Sequence, residues 1–135
     1  MKYLIIPITT IFLLFSCCIK HKEDNAFKER YFNMLDSMSS YYEFTEMDRD
    51  IPIPILMERS KEFEKRVEYL RCLTNIKFHF TEVEHIPVYD TKSDFDSDIN
   101  ALKKWYEINK YEMTNHKADS IVLKKIKNKN LRIWR

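Results

Sequence analysis

The chain has 135 residues, with 23 basic and 21 acidic side chains, 44% hydrophobic and 14% aromatic residues, and no glycine. This hydrophobic content excludes a disordered chain, and the length fits a single domain with a packed core. The near-neutral balance gives no basic footprint for nucleic acid. The absence of glycine excludes Gly-rich phosphate loops, the dinucleotide fingerprint and the usual nucleophile elbow.

Residues 1–16 have the pattern of an export signal. Lys2 precedes an apolar run from Leu4 to Phe15, which is too short to cross a bilayer as a stable helix. The run ends in Leu14-Phe15-Ser16-Cys17, which resembles the lipobox of bacterial lipoproteins. The resemblance implies cleavage before Cys17, a diacylglycerol on its sulfur and a lipid-anchored protein of the cell envelope, expected at the outer membrane. An ordinary secretory signal or a short membrane anchor is the alternative.

Residues 17–25 are expected to form the lipidated cysteine and a short polar tether. Two or three acyl chains at Cys17 would give stable anchoring, whereas one chain would not. Within this stretch, Lys22-Glu23-Asp24 resembles the tag of a lysine and acids that some Gram-negative groups place after the lipidated cysteine for surface display. An ordinary solvated linker is the other interpretation. Residues 26–135 then form one mainly helical domain.

Apolar residues at three- to four-residue spacing predict four helices, over about 26–43, 54–74, 98–113 and 116–127. Asp24 or Asn25 can cap the first helix, and Pro54 can be the first residue of the second. Alternation over 76–81 predicts a strand, residues 86–88 an extended edge piece around Pro87, and residues 89–97 a loop. Ser97 or Asp98 would cap the third helix. The predicted fold class is mainly α, a small bundle of about four helices with a short extended or β insert.

The C-terminal part of the chain carries two further expectations. Leu131, Ile133 and Trp134 are expected to dock on the domain. Leu70 to Asn75, then Asp98 and Leu102 to Lys110, resemble the terminal motif of bacterial HEAT-type helical repeats, with Asn75 at the usual glycine. That resemblance implies packing of a helix pair and a binding role, and it transfers no catalytic residue.

Two groups of residues could be considered as metal ligands. Asp94, Asp96 and Asp98 alternate as in a calcium loop, but Ile99 and Trp105 stand where an EF-hand needs Gly and Glu. We therefore expect loop acids with a helix cap, and cation binding is the alternative. Cys72, His79 and His85 lack the paired spacing of zinc ligands. Cys72 is expected to be a buried small hydrophobe, and no metal or cofactor is predicted.

No catalytic residue is predicted either. Glu82 and Glu84 flank Val83 at the spacing of one strand face, and carboxylates are suited to acid–base chemistry. Solvated charges that discourage pairing of an edge strand are the favoured interpretation. No serine or cysteine has the local signature of a nucleophile, so the protein is expected not to be an enzyme.

Several aromatic residues exceed what one small core obviously needs: Tyr41, Tyr42, Phe44, Tyr89, Phe95 and Tyr106. Tyrosine is favoured at protein interfaces because it combines a large area with a polar tip. Tyr41, Tyr42, Tyr89 and Tyr106 are therefore candidate surface residues for binding a protein. The alternative is that these aromatic residues cover the core.

The favoured function is a lipid-anchored envelope protein with a non-catalytic binding or assembly role, either an accessory subunit or an immunity-type protein. Its expected partners are the membrane, through the lipid, and a protein. A small envelope enzyme or a ligand-binding lipoprotein is the first alternative. A purely structural tether or spacer is the second.

Overall fold

The computed structural model describes residues 22–47 and 50–133, with side chains to residue 130. Over this part, the elements in order are α1 (Asn25–Glu46), α2 (Ile53–Thr74), β1 (Thr81–Val83), β2 (Ile86–Val88), α3 (Lys92–Asn109) and α4 (Asn115–Ile133). This confirms a mainly α fold with a short β insert. The predicted export signal, Cys17 and Trp134 lie outside the described residues, as do the side chains of Leu131 and Ile133.

The first two helices follow their predicted bounds closely. Asp24 caps α1 as expected, because its carboxylate accepts the Phe27 N–H at 2.9 Å. Helix α2 begins one residue before Pro54, which takes the second helical position. It ends at Thr74 and is capped by Asn75, which has a left-handed backbone (φ 62°) and whose N–H donates to the Arg71 carbonyl.

Helices α1 and α2 pack antiparallel. The Arg59 guanidinium near the start of α2 lies 4.3 Å from the centre of the Phe44 ring near the end of α1. At the other end of the pair, Arg30 lies 4.8 Å from the centre of the Tyr69 ring. The start of α1 therefore marks one end of the bundle, the proximal end, and its last turn marks the distal end.

Helix α3 also runs antiparallel to α1. Tyr42 stacks on Phe95 at 4.3 Å between ring centres in the distal half, and the Tyr31 hydroxyl donates to the Leu102 carbonyl at 2.9 Å further down. These contacts bury one face of α3 against the aromatic face of α1. The start of α3 is thus distal and its end is proximal.

Helix α4 lies across the proximal half. Asp119 accepts from Arg30 at 2.8 Å and from the Tyr69 hydroxyl at 2.9 Å, which ties α4 to both α1 and α2. The Arg30 guanidinium lowers the pKa of the Asp119 carboxyl by hydrogen bonding to it. Further along α4, Lys125 donates to the Asn75 side chain at 2.7 Å. These contacts hold α4 at the proximal end.

The predicted strand over 76–81 was wrong. Residues 75–80 form no strand, and the only described sheet pairs β1 with β2 as a hairpin in which Val83 lies opposite Ile86. The side chains of Ile76, Phe78 and Phe80 do alternate toward the core. Alternation of apolar and polar residues indicates which side chains face the core, but it does not indicate whether the backbone pairs with another strand. The His79 N–H donates instead to the Asp98 carboxylate at 2.9 Å.

The predicted loop over 89–97 was also wrong, because α3 begins at Lys92. Its cap is Thr91 rather than Ser97 or Asp98. The Thr91 hydroxyl accepts the Asp94 N–H at 3.1 Å and donates to the Asp94 carboxylate at 2.6 Å. The first bond is the N-cap bond of α3, and the second orients the Thr91 hydroxyl. Helix α3 then ends at Asn109, before the predicted 113, and α4 extends beyond 127.

One continuous core joins the helices and the hairpin. Leu70 of α2 and Leu102 of α3 are fully buried in it. Cys72 is buried, as predicted, and donates its thiol proton to Glu68 at 3.7 Å. Burial and the Glu68 carboxylate raise the pKa of this thiol, which favours the protonated form over the reactive thiolate.

Candidate protein-binding surface

The structure buries most of the aromatic residues expected on the surface. Tyr41, Tyr89 and Tyr106 are 5%, 4% and 1% exposed, and Phe95 is buried as well. Tyr42 is half-buried, stacked on Phe95. The prediction that Tyr41, Tyr89 and Tyr106 lie on the surface was therefore wrong. These aromatic residues cover the core, which was the alternative interpretation.

Polar partners far away in sequence explain why Tyr41 and Tyr106 are tolerated there. The Tyr41 hydroxyl donates to the Pro87 carbonyl at 3.0 Å, and the Tyr106 hydroxyl donates to the Glu23 carboxylate. Burial raises the pKa of Tyr41 to about 12, so its hydroxyl stays protonated and can donate. Glu23 belongs to the predicted tether, and this bond and a 3.5 Å ion pair with Lys28 fasten that part of the tether to the domain.

Asp98 and His79 form the clearest titratable pair of the domain. Asp98 is 1% exposed, and its carboxylate lies 2.5 Å from the His79 Nδ1. The hydrogen bond to Asp98, together with its negative charge, raises the pKa of His79. The pair joins residues 75–80, which form no strand, to α3.

Tyr89 lies close to this pair without joining it. Its hydroxyl is buried and has no hydrogen-bond partner among the described residues. Burial raises the pKa of Tyr89, and the nearby negative charge of Asp98 raises it further. The hydroxyl therefore stays protonated beside the buried carboxylate.

The candidate metal ligands do not converge. Asp94 bonds Thr91, Asp96 pairs with Lys92 at 2.8 Å, and Asp98 faces His79. These three acids lie on a helix and not in the predicted loop. Across the part of the chain that the structure describes, no three His, Cys, Asp or Glu side chains are grouped to hold a metal ion.

The described residues do contain an exposed apolar region, at the distal end. We define the distal surface by five side chains that are all 46% or more exposed: Met47, Ile53, Ile55, Met57 and Val83. The sequence carried a signal for it, because Ile53-Pro54-Ile55-Leu56-Met57 places apolar residues all round the first turn of α2. A helix can turn only one side toward its core, so some of them must face water.

Two open depressions adjoin the distal surface. A groove of about 720 Å³ runs between α1 and α2, lined by Ser40, Ile55 and Arg59 among others. A hollow of about 360 Å³ lies between α2 and the hairpin, and its lining includes Met57 and Glu84. The side chains of α2 thus connect both depressions to the exposed apolar residues.

The charges of the domain are separated along the bundle axis. Within the described residues, the distal half (36–47, 50–64 and 81–98) contains thirteen acidic and three basic side chains. The proximal half (22–35, 65–80 and 99–130) contains fifteen basic and seven acidic side chains. The almost neutral chain therefore folds into a domain with one acidic end and one basic end.

Exposed carboxylates surround the distal surface. Glu58, Glu64, Glu82 and Glu84 are exposed, and none of them belongs to an ion pair among the residues described. Glu82 lies on β1, and Glu84 lies in the hairpin turn. The exposed apolar side chains thus lie beside a rim in which these four carboxylates outnumber the exposed bases Arg59 and Lys61. Such a surface complements a basic surface with an apolar centre.

Comparison of the chain with protein-family models, with curated proteins and with solved structures finds no match. Among the helices of the described part, none is long and apolar enough to span a membrane.

Proposed function

We propose that this protein is a lipid-anchored lipoprotein of the bacterial outer membrane that binds another protein through its distal surface. Its role is non-catalytic, as an accessory subunit of an envelope complex or as an immunity-type protein that occludes its target. The partner has a basic face with an apolar centre. The observation that carries the proposal is the exposed apolar centre with its rim of unpaired acids.

The position of the distal surface favours a protein partner over the lipid. Helix α1 has 22 residues and is about 33 Å long at 1.5 Å per residue. The proposed anchor at Cys17 precedes the start of α1, whereas the distal surface lies beyond its end. An anchored domain would therefore carry its exposed apolar residues away from the attachment point. Exposed apolar clusters with a polar rim are typical of protein interfaces.

A ligand-binding lipoprotein is the second candidate, because the groove between α1 and α2 has the volume of a small-molecule site. Its charged lining includes Asp36, Glu58, Arg59 and Arg66, and the groove is open to solvent. Those features suit an extended polar segment of a protein better than an enclosed small molecule. Binding of small metabolites that survives replacement of the distal apolar residues would favour this candidate.

The anchor is tested by the mass of the protein purified from its host membranes. We expect a chain that begins at Cys17 and carries acyl groups, and we expect Cys17→Ala to leave the membrane fraction. A chain that begins at Met1 with an unmodified sulfur at position 17 would contradict the anchor.

Partner binding is tested with matched pairs of substitutions in the detergent-solubilised protein. Ile53→Ser with Met57→Ser removes apolar area from the distal surface, and Ile108→Ser with Leu123→Ser removes exposed apolar area elsewhere. We expect a stoichiometric partner to be lost with the first pair and retained with the second. The complex should also weaken at about 0.5 M salt, where charges are screened within a few Å. Equal retention by both pairs, or a lone monomer at every salt concentration, would overturn the proposal.

A further inference from the structure

We propose that the proximal end of the domain docks on the anionic lipid headgroups of the membrane, with the exposed lysine face of α4 against them. This inference rests on the proposed anchor at Cys17. Lys117, Ser120, Lys124 and Lys127 are spaced three or four residues apart along α4 and all four are exposed. Residues at this spacing share one helix face, so α4 presents a row of lysines to its surroundings.

The lysine face belongs to a wider basic surface in which few lysines are paired with a carboxylate. Lys129 pairs with Glu68 at 3.1 Å and Lys117 approaches Glu112 at 3.9 Å. Other lysines of the proximal half take part in no ion pair among the described residues: Lys22, Lys77, Lys103, Lys104, Lys124, Lys125 and Lys127. Clusters of lysine close to a membrane attachment point are attracted to anionic lipid, and this attraction extends over about one Debye length.

The fastening of Glu23 keeps this basic surface close to the proposed anchor. Because Tyr106 and Lys28 both bind the Glu23 carboxylate, this fixed point is only six residue steps from Cys17, with five residues between them. Such a segment reaches about 20 Å when fully extended. The anchor therefore holds the lysines at a high effective concentration near the headgroups, and weak individual contacts are enough for docking.

The acidic distal half makes the orientation specific. Its thirteen acidic side chains are repelled by the same lipids that attract the proximal lysines. The acidic end of a second copy also has the right charge to meet the lysine face. Copies anchored in one membrane, however, all point their acidic ends away from it, so parallel copies cannot bring one basic end to the acidic end of another. The headgroups are thus the favoured occupant.

The experiment uses the full mature chain, purified with its lipid and checked by mass, and inserted into vesicles. A fluorophore is attached at Ser120→Cys on the lysine face or at Ser93→Cys near the distal start of α3, in a Cys18→Ser and Cys72→Ala background. The vesicles contain neutral phosphatidylcholine alone or with about 30% anionic phosphatidylglycerol, and a trace of lipid carries a quencher on its headgroup. With anionic lipid, we expect several-fold stronger quenching at residue 120 than at residue 93. In neutral vesicles and at about 0.5 M salt, that difference should fall to the smaller value that the anchor alone imposes.

Two triple substitutions to glutamine remove three positive charges each, one set at the proximal end and the other at the distal end. The proximal set should reduce the difference in quenching to its value in neutral vesicles, and the distal set should preserve it. The proximal set is Lys117→Gln, Lys124→Gln and Lys127→Gln, and the distal set is Arg59→Gln, Lys61→Gln and Lys92→Gln.

The outcomes separate this inference from the function on which it rests. An acylated chain with equal quenching at residues 120 and 93 overturns the orientation and leaves the anchor standing. A chain without acyl groups overturns both. A difference between residues 120 and 93 that is equally large in neutral and anionic vesicles also overturns it, because the lysine face would then owe nothing to anionic headgroups.

Discussion

Replacing Asp98 with asparagine should destabilise the domain more than any other single change of its charged groups. The Asp98 carboxylate is buried and accepts from both the His79 N–H and the His79 imidazole. In the Asp98→Asn variant, one of the two acceptor oxygens becomes an NH2 group that faces a donor. Hydrogen bonds to charged groups contribute about 1.5–3 kcal/mol each. We therefore expect the free energy of unfolding to fall by about 2–3 kcal/mol, in urea titrations followed by circular dichroism.

The contribution of His79 to the free energy of unfolding should change with pH in a definite direction. Because Asp98 raises the pKa of His79 above its unfolded value of 6.5, protonated His79 favours the folded state. The stabilisation is fully present below pH 6.5 and is lost as the pH rises through the folded pKa. The difference in stability between the native chain and His79→Gln should therefore shrink from pH 6 to pH 9. In the Asp98→Asn background, His79→Gln should produce little difference at any pH.

His85→Gln is the matched control, because His85 lies exposed in the hairpin turn and takes part in no ion pair among the described residues. It should leave the pH profile unchanged. The reasoning is refuted if Asp98→Asn unfolds at the same urea concentration as the native chain. It is equally refuted if the contribution of His79 grows as the pH rises.

Three further changes test the fold. Glu84 and His85 form a two-residue turn with φ values of 52° and 69°, a conformation that suits Asn-Gly. Glu84→Asn with His85→Gly should therefore stabilise the protein by about 1 kcal/mol. A lower urea midpoint would contradict the turn geometry. Leu70→Ala should lower the free energy of unfolding by about 2–5 kcal/mol, because the Leu70 side chain is fully buried. Leu123→Ala, at an exposed position of α4, should stay within about 0.5 kcal/mol of the native chain. Equal losses in the two variants would mean that the core is misplaced. Thr91→Ala should lower the free energy of unfolding by about 1 kcal/mol, because it removes the cap of α3. Amide hydrogen exchange should then accelerate in the first turn of that helix. Unchanged exchange there would argue against the cap.

The helices were predictable from the sequence because their signals are local. Spacing of apolar residues every three or four positions places α1 and α2 within a few residues of their observed bounds, and Asp24 caps α1 as its side chain chemistry indicates. The start of α3 was missed even though its signal is local too. Thr91 precedes Asp94 by three residues in the order of a capping box, but the acids that follow are also typical of a loop.

The environment of the aromatic residues was not predictable, because it depends on partners far away in the chain. The Tyr41 hydroxyl meets a carbonyl 46 residues away, and the Tyr106 hydroxyl meets a carboxylate 83 residues away. A distant polar partner allows a tyrosine to be buried, and the residue type alone does not reveal whether the fold supplies one. The candidate surface therefore moved from these tyrosines to the start of α2 and the hairpin.

The sequence by itself determined which segments coil into helices and that the charges nearly cancel, since both depend only on residue type and spacing. Only the tertiary structure decided where those charges lie. Antiparallel packing of α1 with α2 and α3 brings the acidic segments of all three to one end, and the placement of α4 puts its lysines at the other. Summing charges along a chain cannot reveal this separation, because the distance between two charges is set by how the helices fold back on each other.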